Sequence, residues 1–239
     1  MASNTSRETE IAKRLSKFSD AEVVERWHGI VEIVKAELTS LNLQRQFMQE
    51  TIDIVNRNPR FLHHPGRRFM DYVRVWYGTA MAAAYRRQND GDSRSASLRV
   101  LLDEIKSRPR AYRVETLRRY MGAAPDEDIE ALVMCVVGAR GASGPDIAIV
   151  QGDLDALATV GERIHEYVNK HVAHTDIEAQ KTPLEATFDE IHAAAKRCEE
   201  IAARWVTALT GPAYSFDVVT QYGWHDVFDF PWCASKASP

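Results

Sequence analysis

The stretch Tyr167 to Asp176 reads YVNKHVAHTD and gathers two histidines, an asparagine, a lysine and a tyrosine. Histidine exchanges protons near neutral pH. Lysine adds a point positive charge, and the asparagine amide can orient either group. On a helix, Arg163, Tyr167, Lys170 and His174 are spaced four, three and four residues apart and share a face, with His165 and Asn169 on the neighbouring one. His171 falls three residues after Val168, close to an apolar stripe. Such a cluster could serve acid/base catalysis or hold an anionic ligand. The competing reading is a polar helix end, because Lys and His near a C-terminus complement the macrodipole and bond the last carbonyls. His171, His174 and Asp176 do not make a complete transition-metal ligand set, so no metal is inferred.

A second chemical signal lies upstream. From Arg86 to Arg119 the chain carries ten Lys and Arg against five Asp and Glu. The protein as a whole has a net charge of −4, so this segment stands at +5 and the remainder at −9. A basic patch on an acidic protein can hold phosphate locally; a solvated arginine-rich surface has the same composition. His63, His64, Arg67 and Arg68, in HHPGRR, could also touch phosphate or form a plain turn. GARGASG, Gly138 to Gly144, would suit phosphate if a strand preceded it, but it lacks the spacing of known phosphate loops and reads better as an interhelical loop.

The elements that must position these residues read as helix almost throughout. Ser19-Asp-Ala-Glu22 has the form of a capping box. After it Val24, Trp27, Val31, Val34, Leu38, Leu41, Met48, Ile52 and Val55 form a bundle seam, interrupted by Arg45. A buried arginine there must meet an acid or reach solvent, and snorkelling to solvent is the plainer expectation. Asn58-Pro59 ends this helix. A second helix is expected from Arg68 to Gln88, then a turn at NDGDSR and shorter helices over SLRVLLDEI, YRVETLRRYM and DEDIEALVMCVV. Pro145 is expected in the first turn of a helix striped by Ile147, Val150, Leu154, Leu157, Gly161, Ile164 and Val168 and ending near His174. Thr182-Pro-Leu-Glu185 reads as the capping box of a last helix, striped from Leu184 to Leu209 and stopped by Gly211-Pro212. The aromatic tail after it should pack over the bundle.

With 239 residues, 45% hydrophobic and 27% charged, the chain has ample material for a core. The expected architecture is an all-α helical bundle in one domain: a long first helix over 20–57, a core over about 68–210 and a packed tail over 211–239. No apolar run approaches the roughly 20 residues of a spanning helix, and the N-terminus has no apolar signal region, so no membrane association is expected. Cys135, Cys198 and Cys233 stand far apart and read as reduced thiols of a cytoplasmic protein.

NKHVAHTD resembles the segment that ends the third helix of HEPN domains, and within them the AbiU-type branch, named for abortive phage infection. There an arginine-asparagine-lysine run leads to a small residue and histidine as the helix gives out. YRRQNDGDSRSASLRVLLDEI is similar to that branch's arginine, acidic turn and Ser-Leu helix start, and GWHDVFDFPW to its aromatic end. The likeness runs from about Arg68 to Trp232. It implies a homodimeric, metal-independent endoribonuclease or toxin-like effector of bacterial phage defence, needing no cofactor and acting on RNA, with an antitoxin or partner protein beside it. Strand cleavage by the RNA 2′-hydroxyl needs proton transfer and a fixed cation against the developing phosphorane charge. By this resemblance His174 would be the acid/base and Asn169 the orienting group. The family's arginine position holds Val168, so Arg163 or Lys170, or Arg45 from another helix, would supply the cation. Arg86 and Arg87, with Tyr167 and His171, would hold the RNA. The alternative is a catalytically silent helical module that dimerises and binds a partner protein or nucleotide.

Overall fold

The computed structural model describes residues 2–57, 64–122, 125–138, 144–169 and 187–217. Eight α-helices order these residues: α1 Ala2–Leu15, α2 Asp20–Arg57, α3 His64–Gln88, α4 Leu98–Ser107, α5 Val114–Leu117, α6 Asp126–Val137, α7 Ile147–Tyr167 and α8 Phe188–Thr210. A 3₁₀ turn at Pro109–Ala111 joins α4 to α5, and no strand occurs among the described residues. The class is all-α.

Local chemistry explains the boundaries. The Ser19 box forms as expected: the Ser19 amide donates to Glu22 Oε2 at 2.7 Å and the Glu22 amide to Ser19 Oγ at 3.3 Å. The seam behind it is buried, apart from partly covered Ile52. α3 starts at His64, four residues before the expected Arg68, because Pro65 suits a first helical turn. ALVMCVV is helical, within α6, which removes the strand that a phosphate-binding GARGASG would require. Gly138 ends α6 with φ 66°, a left-handed cap that a side chain would strain. Pro145 lies before the cap of α7 instead of inside its first turn; Asp146 caps the helix, accepting from the Ala148 amide at 2.8 Å.

The capping box of α8 is Thr187-Phe-Asp-Glu190, not Thr182-Pro-Leu-Glu185. Thr187 is extended, with φ −71° and ψ 156°, and Glu190 Oε2 accepts from its amide at 2.8 Å. A helix begun near Leu184 could not pass through that backbone. Both tetrads satisfy the same local rule, so sequence alone could not choose between them. α1 was not expected, since its sequence is polar. Ile11 and Leu15, four residues apart, bury into the core, and its charges find partners on α4: Arg7 Nη2 to Asp103 at 2.5 Å, Arg14 Nη2 to Glu104 at 2.5 Å, and Lys106 Nζ to Glu8 at 2.6 Å.

α8 is the hub and touches α2, α3, α6 and α7. Ile191, Ala195, Cys198, Ala202, Trp205 and Leu209 are buried along it, as the stripe requires, whereas Phe188 at its start is exposed. Fully burying each large aliphatic chain stabilises by about 1.5–3 kcal/mol. Buried Asp153 of α7 clamps α8, accepting from Trp205 Nε1 at 2.8 Å and from Arg204 Nη1 at 3.1 Å. After Gly211 the chain turns onto α2: Tyr214 Oη meets Thr39 Oγ1 at 3.2 Å, the Lys35 ammonium lies 5.2 Å from the Tyr214 ring, and Phe216 is buried. The aromatic segment beyond Asp217 lies outside the described residues. No described helix is long and apolar enough to cross a membrane.

Candidate functional site

The turn between α3 and α4 is built to hold side chains in place. Gln88 is fully buried; its Oε1 accepts from the Leu98 amide at 3.2 Å and its Nε2 donates to Glu37. Asn89 Nδ2 and Tyr85 Oη both donate to the Leu157 carbonyl, at 3.2 and 2.7 Å, tying the end of α3 to α7. Ser97 caps α4, accepting from the Val100 amide at 3.1 Å, and donates to the Asp90 carbonyl at 2.5 Å. Burial would raise the Asp90 carboxyl, but hydrogen bonds from Ser95 and the Asp92 amide, helped by Arg86, leave it below its ordinary value. The NDGDSR turn and the Ser-Leu helix start therefore form one hydrogen-bonded unit.

That unit places Arg86 and Arg99 near enough to His165 of α7 for their charges to act on it. Arg99 Nη1 donates to Asn89 Oδ1 at 3.1 Å, and its Nε stays 3.9 Å from Asp103, a carboxylate that Arg7 already occupies. Arg86 is half-buried and makes no ion pair with a described residue, and its buried Nε meets no hydrogen-bond partner among them. His165 is held below its usual pKa, first by partial burial and then by Arg86, with Arg99 adding to the effect and Asp90 opposing it. Two arginines beside a partly buried imidazole, whose pKa burial and those two charges all lower, make a cationic group with donors unpaired among the described residues, which suits a phosphate.

α7 leads from His165 into the motif. Its α-helix ends at Tyr167, and Val168 and Asn169 form a wider π turn, a feature frequent at functional sites. Tyr167 is half-buried and packs on the core, Asn169 is half-buried, and Val168 is 2% exposed. Position 168 is a core position, so its apolar residue follows from packing. Lys170, His171, His174 and the Arg163 side chain lie outside what is described.

Part of the remaining basic segment is tied into the structure. Arg87 turns to α2, its Nε donating to Glu37 at 2.6 Å, away from the His165 group. Arg108 donates from Nε to Asp20 at 2.8 Å and from Nη1 to the Leu15 and Phe18 carbonyls, and Arg94 folds back on Asp92 at 2.7 Å. Among the described residues no three His, Cys, Asp or Glu side chains gather as metal ligands.

A polar group that sequence reasoning missed lies between α2, α3 and α8. Arg45 pairs with Glu199 at 2.8 Å instead of snorkelling; both side chains are largely covered, and burial raises the Glu199 carboxyl while Arg45 opposes it. Beside them Tyr77 Oη meets His192 Nε2 at 2.6 Å. Burial pushes the Tyr77 phenol up to about 12, and burial, with Arg45 next, lowers His192. The phenol therefore keeps its proton. The break at Arg45 in the α2 seam was the one visible sign; nothing marked Tyr77 or His192. Arg45 is thus committed to Glu199. No family model matches the chain, and no curated protein or solved structure matches it.

Proposed function

We propose that the protein is RNA-directed and similar to the AbiU-type HEPN domains: a metal-independent endoribonuclease or toxin-like effector of bacterial defence. The observation that carries this reading is the Arg86, Arg99 and His165 group, held by a rigid α3–α4 turn at the end of α7 and leading directly into YVNKHVAHTD. In this reading Arg86 and Arg99 take the RNA phosphate. Asn169 orients, His174 transfers the proton, and Lys170 or Arg163 adds charge at the reacting phosphate. A homodimer would bring two such motifs together.

A second reading rests on Val168. Because that position belongs to the core, the chain lacks the family's arginine at its place, which favours a silent module that binds RNA, a nucleotide or a protein without cutting.

The test is cleavage of a mixed RNA pool by purified protein in EDTA, beside folded His174→Ala and Arg86→Ala variants. Cleavage lost in His174→Ala supports the ribonuclease. RNA binding without cleavage, weakened in Arg86→Ala, supports the silent module. A wild-type protein that neither binds nor cuts RNA overturns both RNA readings.

A further inference from the structure

α3 turns an unusual face outward. Phe69, Tyr72, Trp76, Thr79, Ala83 and Arg86 follow one another at steps of three and four and so form one stripe. It lies opposite the buried Met70, Tyr77, Met81 and Tyr85. Its three rings are 47%, 65% and 71% exposed, far more than core aromatics. They rise by roughly 4.5 and 6 Å from one to the next along the axis, at 1.5 Å per residue. Arg68 and Arg86 lie five whole turns apart, so they share one flank of the stripe roughly 27 Å from each other. Asp71 is the one acid in α3, against Arg67, Arg68, Arg74, Arg86 and Arg87, and it sits off the stripe.

We infer that the outer face of α3 is a track for single-stranded RNA, running from Arg68 across the three rings to Arg86. The inference rests on the RNA-directed reading above and extends it to a substrate class. Exposed rings at successive turns give bases a stacking surface, and arginines at both ends hold the backbone between them. Every base has a face to stack, so the track would accept many sequences but not paired strands, whose bases are already stacked. Small Thr79 and Ala83 keep the path between Trp76 and Arg86 open. Arg68 and Arg86 flank the stripe and no acid lies on it, which favours a polyanion over a protein partner, for which the same rings would otherwise serve.

The test is fluorescence anisotropy with a labelled, mixed-sequence single-stranded RNA, using the full chain. The comparison set is a Tyr72→Ala/Trp76→Ala double variant, a Tyr72→Phe/Trp76→Phe double variant, Arg86→Ala, and an abasic strand of equal length. The alanine double variant should bind at least about tenfold more weakly, with an unchanged salt slope because no cation is lost. The phenylalanine pair should bind close to wild type, and the abasic strand should bind wild type as weakly as RNA binds the alanine variant. The rings are exposed, so circular dichroism and melting should not change. If the alanine variant binds like wild type while Arg86→Ala binds more weakly, the track is overturned and the RNA reading stands. If wild type binds no RNA, the RNA reading fails and takes the track with it. If the alanine variant changes from dimer to monomer by sedimentation, the rings are a self-contact and the track is overturned.

Discussion

Two sets of arginines meet α4 and its flanking turns, and the molecule treats them differently. On the side of α1 and α2, Arg7, Arg14, Arg26 and Arg108 each have a carboxylate or carbonyl. Arg14 and Arg26 converge on Glu104, which is fully buried, at 2.5 and 2.9 Å; Arg7 takes Asp103 at 2.5 Å; Arg108 takes Asp20 and two carbonyls. On the α7 side, Arg86 has no such partner among the described residues, and Arg99 shares an acid already in use. The first set fastens α1 and α2 to the bundle, because a charge taken from water must be matched. The second set has donors left unmatched among the described residues. Composition treats these arginines as one basic patch, whereas geometry divides them into a structural seam and a site.

The largest effect should come from unmatching the seam. Glu104→Ala leaves Arg14 and Arg26 facing a cavity with no acid, and losing one partner of a buried pair costs about 3–5 kcal/mol; the partial exposure of both arginines places the loss near about 3. Urea unfolding measures it. A loss below about 1 kcal/mol would mean that the two arginines find water easily, and the contrast between the sets would collapse.

Next comes a histidine that serves the α2 side by staying neutral. His28 is buried and stacks on Tyr120 at 3.4 Å, with the Arg119 guanidinium 5.7 Å from the same ring. Burial, against Glu32, lowers its pKa to about 4. The folded value lies below the unfolded 6.5, so its contribution is complete above pH 6.5 and is lost as pH falls toward 4. The loss should be on the order of 2 kcal/mol across that window. His28→Phe keeps the stack and removes the proton, so its melting temperature should fall less between pH 6.5 and 4.5 than that of wild type. Equal falls in the two proteins would show that His28 does not carry the acid sensitivity.

How much of this was legible follows from what repeats locally. The α2 and α8 stripes and the Ser19 box are local patterns, and each predicted its element. α1 was missed because its stability is tertiary: two apolar residues and three ion pairs reaching 90 to 98 positions along the chain. The wrong capping box was chosen for α8 because two identical signals stand five residues apart. Arg86 was named from the sequence among ten basic residues, but nothing there distinguished it from Arg87. The difference is one helical position: residue 87 reaches Glu37 on α2, and residue 86 lies on the flank of α3 from which its charge acts on His165 of α7. Periodicity assigns a residue to a face; it does not say which neighbour waits there.

The smallest effect on stability sharpens the comparison most. Arg86→Ala removes a cation that has no ion pair among described residues, so the stability change should stay within about 0.5 kcal/mol, as for a surface substitution. Its electrostatic trace should still be plain. Arg86 is the largest charge holding down His165, so the variant should raise the His165 pKa toward its ordinary value, as followed by NMR with His165→Gln for assignment. RNA phosphate near Arg86 should raise the same pKa in wild type, so binding should tighten as pH falls from about 7.5 to 6. It should also lose about one unit of salt slope in the variant. A variant that lost 2 kcal/mol or more would place Arg86 with the structural arginines. A stable variant whose His165 titrates unchanged would separate the two residues and dissolve the cationic group on which the RNA reading rests.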